Sequence, residues 1–434
     1  MKVIILIVLF AFSFCNAQWE QKNNGLPSSW LGFSIDANDT STAIISVSGP
    51  SALYKTTDGG DSWLQLPSPV GELIVDVEML DEKIWGATDW GRIIYSADGG
   101  KKWSVQFVDS SITDFMNYVE MFDENNGVAM GDVYAGNPTN NPGPALFLKT
   151  TDGGTNWVSV NNSAFGGISG DTWRRLDFVS MNIGYFRESG GDNSDKLYKT
   201  TDGCVTWTSL PLSASQVVLI KFYDEQTGIA SYSNNYISRT SDGGLNWETF
   251  TSPIGWGNDF EYQPGAPSNI WAVDKNNLYF SSNMGLSWVT EETPLSQLKG
   301  RDLVFTSDKS AWLLCDGAVL RNVNVSKIVT TGENTAEIIW GYSLEQNYPN
   351  PFNPTTNIKF TLPSPSQGEG PGVRSVTLKV YDLLGREITT LVNKELAAGS
   401  YVVNFDAKDL GSGIYFYKLN VGSFSQTKKM IVLK

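Results

Sequence analysis

The 434-residue sequence contains no histidine. Ser-His-Asp and Cys-His catalysis and imidazole-ligated metal sites all need that ring as base or ligand, so all are excluded. Cysteine is nearly absent as well. Of three, Cys15 lies in an N-terminal apolar run, which leaves Cys204 and Cys315. Two cysteines make no disulfide framework, and no bridge between them is expected. Long apolar runs are also missing. Lys2, the run Val3 to Phe14 and the small residue in Cys15-Asn16-Ala17 read as a signal peptide over residues 1–17. That run is too short for the ~20 residues of a spanning helix, and no later segment can span a bilayer.

Positive charge is scarce, with 31 Lys+Arg against 46 Asp+Glu and a net charge of −15. Residues 341–434 carry 10 Lys+Arg against 7 Asp+Glu, so the acidity is concentrated in the region before them. Such a surface repels nucleic acid and anionic membrane and keeps an exported protein soluble. No cofactor or metal is expected, and the chain reads as a monomer.

Val, Ile, Tyr, Phe, Trp and Thr are abundant, with Gly, Asn, Asp and Ser returning at short intervals. This is the composition of many short strands joined by tight turns, an all-β protein. One motif recurs six times: Thr56 to Trp63, Ser96 to Trp103, Thr150 to Trp157, Thr200 to Trp207, Thr240 to Trp247 and Ser281 to Trp288. From Asp58 to Asp98, Asp152, Asp202, Asp242 and Asn283 the steps are 40, 54, 50, 40 and 41 residues, the length of a four-stranded propeller blade. The Asp accepts amides of its own turn, the glycines supply positive φ, and the Trp packs under a neighbouring blade. Asn283 and Met284 depart from the pattern, so the sixth turn is expected to be the loosest.

These positions resemble the Asp-box family, in which the box joins the third and fourth strands of a blade, away from the ligand face. The resemblance implies structural roles for the six Asp/Asn residues and their tryptophans. Leu303 to Val323 repeats the strand pattern a seventh time without a box. Gln18-Trp19-Glu20-Gln21 resembles the segments that follow other boxes, so the mature N-terminus is expected to complete blade seven and remove the open edge. A seven-bladed β-propeller over residues 18–325 follows.

A polar linker, 326–346, leads to the proline-dense Asn347 to Pro363, read as a boundary that cannot form a central strand. Alternating segments at Val376 to Tyr381, Glu387 to Val392, Tyr401 to Phe405, Ile414 to Leu419 and Lys428 to Leu433 predict an immunoglobulin-like β-sandwich. Asn347 to Pro363, Val380 to Arg386, Gly399-Ser-Tyr401, Ser412 to Tyr417 and Lys428 to Lys434 closely resemble the type A sorting domain of type IX secretion. That resemblance implies export through the periplasm to the outside or cell surface of a Gram-negative bacterium, with the type IX secretion machinery as partner of residues 347–434.

The single ring is similar to photosystem assembly factor and sortilin-type propellers, which bind proteins. Asp-box rings also carry sialidases and xyloglucanases, and fold alone does not decide between them. The propeller arginines lack an early Arg-Ile-Pro, and Arg92 and Arg239 fall within third strands. Asp76, Asp89, Asp132, Asp259, Asp302 and Asp316 offer carboxylates near one channel end, without selecting the facing pair a glycosidase needs. No catalytic residue is assigned. The expectation is a non-catalytic, secreted or cell-surface binding propeller, with an extracellular glycoside hydrolase as the alternative. Connections between strands two and three, and between blades, emerge opposite the boxes. Trp30, Trp90, Tyr134, Trp173, Arg174, Arg175, Trp256, Asp259 and Arg301 are the candidate contacts there for an extracellular protein or polysaccharide.

Overall fold

The computed structural model describes residues 19–49, 51–67, 71–133, 145–160, 176–188, 196–212, 217–255, 257–325, 343–344, 346–362, 374–397, 399–422 and 424–433. The chain forms two compact units, Met1–Val329 and Thr330–Lys434. Residues 1–17 and nearly all of the 326–346 linker lie outside the described residues.

Among the described residues, seven four-stranded antiparallel sheets make up the first unit, a β-propeller. The innermost strands of blades 1 to 7 are Leu31–Ala37, Ile74–Leu80, Thr113–Met121, Leu176–Ser180, Val217–Phe222, Gly257–Tyr262 and Gly300–Ser307. Second and third strands such as Ala43–Ser48 and Ala52–Thr56 are buried along almost their whole length. A blade has neighbours on both faces, so these strands are continuously buried rather than alternating. Inner strands alternate instead, and that alternation puts acidic side chains into the channel.

Blade 7 takes Gly300–Ser307, Ser310–Cys315 and Ala318–Asn322 from one end of the chain and Glu20–Gln21 from the other. Glu20 pairs with Arg321 and Gln21 with Leu320. Trp19 is buried edge-on against Trp271 at 6.2 Å between ring centroids. The ring is thus closed by the N-terminal strand, as expected, which supplies the fourth strand of blade 7. Cys204 and Cys315 are both buried free thiols.

The six repeat turns share one hydrogen-bond pattern. Asp58 Oδ1 accepts the Ser62 amide at 2.9 Å and the Thr56 hydroxyl at 2.8 Å, and Thr56 Oγ1 accepts the Gly60 amide at 2.9 Å. Asp98, Asp152, Asp202 and Asp242 repeat it. The Ser62 hydroxyl and amide and the Thr56 hydroxyl together hold the Asp58 carboxyl down to about 2. The sixth turn, expected to be the loosest, keeps the pattern. Asn283 Oδ1 accepts the Ser287 amide at 2.9 Å, and its Nδ2 donates to Ser287 Oγ at 2.8 Å where a carboxylate would accept. Cys204 and Met284 hold φ of 72° and 52° at positions where other copies use glycine. The surrounding bonds therefore impose a left-handed backbone on side chains that disfavour it.

The second unit is a β-sandwich around one apolar core that includes Phe352, Ile358, Phe360, Val380, Tyr417 and Val432. One sheet runs Ser343–Leu344, Thr355–Leu362, Gly399–Asp406, and the other Glu387–Leu396, Arg374–Tyr381, Gly413–Val421, Phe424–Val432. The proline-dense segment is corrected in part: its second half is the central strand of the first sheet. The last internal proline is Pro354, one residue before that strand begins, so every ladder amide from Thr355 onward is available.

Candidate functional site

Antiparallel order within each blade puts the repeat turns and the one-to-two connections on one face, and the two-to-three and blade-to-blade connections on the other. Trp90 occupies a two-to-three connection of blade 2, between Lys83–Thr88 and Arg92–Ser96. It is 67% exposed. Its loop is braced: Asp89 Oδ1 accepts the Leu73 amide at 3.0 Å, and the Asp89 amide donates to the Leu73 carbonyl at 3.0 Å. The Thr88 hydroxyl donates to Glu72 at 3.1 Å, and Glu72 forms an ion pair with Arg92. Arg92 thus fixes the base of this loop. A large ring held in water by a fixed backbone suffers little entropy loss on contacting a ligand.

Trp30 is corrected. It is 4% exposed and packs in the core between blades 7 and 1, with Trp63, Trp312 and Leu314. An indole at the foot of an inner strand gains more from that contact than from water. Arg301 is bound at two of its three guanidinium nitrogens by Asp316, Nε to Oδ1 at 2.8 Å and Nη2 to Oδ2 at 2.7 Å. Asp316 also accepts the Gly32 amide at 3.2 Å, so the pair ties blade 7 to blade 1. Asp259 Oδ2 accepts the Leu303 amide at 2.9 Å, joining blade 6 to blade 7. Tyr134, Trp173, Arg174, Arg175 and Trp256 lie outside the described residues.

The Asp259 contact belongs to a set that sequence reading missed. Inner-strand aspartates accept an inner-strand amide of the next blade: Asp36 from Met79 at 2.6 Å, Asp76 from Val119 at 2.9 Å, Asp177 from Phe222 at 2.5 Å and Asp302 from Ile35 at 2.9 Å. Asp76, Asp259 and Asp302 each stand directly after the bulge of their inner strand, whereas Asp36 and Asp177 do not; the blade-length step from Asp259 to Asp302 is the signal that would have found the first group.

Inside the ring these groups line a cavity of about 140 Å³ that includes Asp76, Asp177, Lys221, Asp259, Glu261 and Asp302. At one level around the channel the inner strands present Asp36, Glu78, Glu120, Asp177, Lys221 and Glu261, each paired with the equivalent residue of its second strand. Burial raises the Asp36 carboxyl to about 6 despite its two amide donors. Burial also lifts Glu120 to about 8 against the hydrogen bond from Tyr118, with Asp177 adding repulsion. Burial and the charges of Asp36, Glu120 and Asp76 push Glu78 well above the usual range. Burial works against the Lys221 ammonium, but Glu261, 2.6 Å away, together with Asp177 and Asp259, outweighs it and holds the amine protonated. With Lys221 protonated and Glu120 raised to about 8, part of this acidic level is uncharged or positive near neutral pH. Among the described residues no cluster of three or more acidic or thiol groups has the arrangement of a metal site, and no helix is long and apolar enough to cross a membrane.

Fold and site together define a β-propeller with an acid-lined channel, joined to a separate β-sandwich. Residues 346–433 match the secretion system C-terminal sorting domain family. The sandwich is therefore a sorting domain, and the protein is delivered by type IX secretion to the cell surface or the extracellular space. The chain is similar to the photosystem II assembly lipoprotein Ycf48 of Synechococcus sp. (strain CC9902), 26% identical over 251 residues that cover 55% of this chain and 69% of that protein. Solved structures of the same shape include YCF48 bound to D1 peptide, with a TM-score of 0.58 and 18% identity over 70% of this chain and 97% of that one. YCF48 from Cyanidioschyzon merolae gives a TM-score of 0.56 and 19% identity over 70% of this chain and 99% of that one.

Proposed function

We propose that the mature protein is a non-catalytic binding propeller that holds an extracellular protein or polysaccharide on the face opposite the repeat turns. The observation that carries this reading is Trp90, 67% exposed on a braced loop on the face opposite the repeat turns. An indole stacks on a sugar or covers an apolar side chain, while the chain's net charge of −15 favours a ligand bearing amino or guanidinium groups. Anionic polymers are disfavoured by the same field. Ycf48, a propeller solved with a peptide bound, supports a protein ligand over a polysaccharide. Tyr134, Trp173, Arg174, Arg175 and Trp256, which lie outside the described residues, are proposed from chain order alone as further contacts.

The hydrolase alternative is weakened by how the carboxylates are used. Asp76, Asp259 and Asp302 each hold an amide of the next blade, Asp316 is locked to Arg301, and Asp89 braces its own loop. A catalytic acid or nucleophile must instead be open to substrate. The test is a screen of the mature protein against arrays of surface proteins and polysaccharides, repeated with Trp90→Ala and followed by product analysis. Binding that Trp90→Ala weakens at least tenfold, without product, supports the proposal. Undiminished binding in the folded variant removes this face, and sugar release moves the protein to the hydrolases.

A further inference from the structure

The sandwich buries its core but leaves Leu383 and Leu384 66% and 78% exposed. They form the tip of the hairpin between Arg374–Tyr381 and Glu387–Leu396. Tight turns favour Gly, Asn, Asp and Ser, so two leucines at a tip are contrary to turn chemistry. The backbone around them is fixed all the same. Asp382 Oδ1 accepts the amides of Leu384 and Arg386, both at 2.9 Å, and its Oδ2 binds Arg386 Nε at 2.7 Å. The Asp382 amide donates to the Arg386 carbonyl and the Gly385 amide to the Asp382 carbonyl, both at 3.0 Å, with Gly385 at φ 75°. Asp382, Gly385 and Arg386 thus supply rigidity, and the leucines are what the turn presents.

The ladder gathers more apolar surface at the same end. Tyr381 pairs with Phe416, which brings the start of the neighbouring strand, with its exposed Ile414, beside the turn. Gly413 pairs with Val432, so the exposed Leu433 follows on the next strand at that end. On the hairpin itself, Arg386 is held by Asp382, and Lys379 by Glu387 at 2.9 Å. A rigid, apolar tip whose adjoining Arg386 and Lys379 are paired is suited to an apolar pocket in a protein.

We infer that the Leu383–Leu384 tip is the anchor by which the sorting domain docks into an apolar pocket of the export machinery. This rests on type IX export, and the occupant is a protein of that machinery because residues 346–433 form a sorting domain with a compact fold of their own. The experiment expresses the full chain in a type IX-competent cell and measures the fraction reaching the medium and surface. Leu383→Ser/Leu384→Ser, with Asp382, Gly385 and Arg386 kept, is expected to lower that fraction at least tenfold and to leave folded protein in the periplasm. Val402→Ser, equally exposed on a strand of the other sheet, is expected to export normally, and Leu383→Met/Leu384→Met to restore export.

Wild-type export of the serine variant overturns the proposal. So does loss of export by Val402→Ser to the same degree, or failure of the methionine variant with a wild-type thermal midpoint. A wild-type dimer that the serine variant dissolves assigns the tip to self-association, and binding to anionic phosphatidylserine vesicles that it abolishes assigns it to lipid; either also overturns it. Deletion of residues 346–433 separates the two levels of the argument: continued export then contradicts the sorting reading itself, whatever the tip does.

Discussion

Asp302 in the innermost strand of blade 7 accepts the amide of Ile35 in blade 1 at 2.9 Å, a bond between residues 267 positions apart at the seam of the ring. Asp36, Asp76, Asp177 and Asp259 make the same bond at other blade junctions. Asp302→Ala leaves the Ile35 amide without its acceptor, a loss of about 1–3 kcal/mol. Asp302→Asn keeps an acceptor oxygen and should recover most of it. Calorimetric unfolding of the two variants measures the difference, and an alanine variant as stable as the wild type would show that the bond contributes nothing at the seam.

The repeat turns make a second prediction through their sixth copy. Asn283 reproduces the pattern of Asp58 with an amide in place of a carboxylate. Asp58→Asn should therefore fold with nearly the wild-type thermal midpoint at neutral pH, whereas Asp58→Ala, which abandons the Ser62 amide, should lower it by a few °C. The Asp58 carboxyl is held down to about 2, so its contribution is present above the unfolded value near 4 and is lost as pH falls toward 2. Acid titration of thermal midpoints should accordingly show the wild type and Asp58→Ala converging below that window. Parallel curves at all pH values would contradict the turn's assigned role.

Blade number, closure by Trp19 and Glu20, and the sorting domain were legible because each rests on local residues: a turn that needs Asp and Gly, or a string of family motifs. What was not legible depends on packing between distant segments. Trp30 precedes an inner strand and reads as a loop aromatic, and only the presence of Trp63 and Trp312 beside it makes it core. The aspartates of the inner strands look like solvent-facing members of an alternating strand, because the amides they accept lie a whole blade away. The strand Thr355–Leu362 was hidden by prolines that stop one residue short of it. Arg301 lay at the expected end of its blade, but its engagement by Asp316 depends on a hairpin partner that chain order does not disclose.

The channel level of Asp36, Glu78, Glu120, Asp177, Lys221 and Glu261 predicts an unusual pH response. Glu120 titrates at about 8 in the folded protein, raised chiefly by burial, and near 4.3 when unfolded. A carboxyl with a raised folded value leaves stability untouched below the unfolded value and reduces it as pH rises toward the folded one. Glu120→Gln should therefore raise the thermal midpoint by several °C above pH 8 and change it little near pH 4. Thermal melts across pH 4–9 check this, and a variant that loses stability at alkaline pH would show that ionised Glu120 is a favourable partner of Lys221 rather than a buried liability.

The central claim, that the face carrying Trp90 is the working face, is tested most directly by site-specific photocrosslinking. A diazirine amino acid is placed in turn at position 90 and at exposed position 101 on the opposite, repeat-turn face, and the exported protein is irradiated on the surface of its own cells. The account predicts a discrete crosslinked species from position 90 that unlabelled wild-type protein competes away, and none from position 101. Equal labelling from the two positions, or a competed species from position 101 alone, would contradict it.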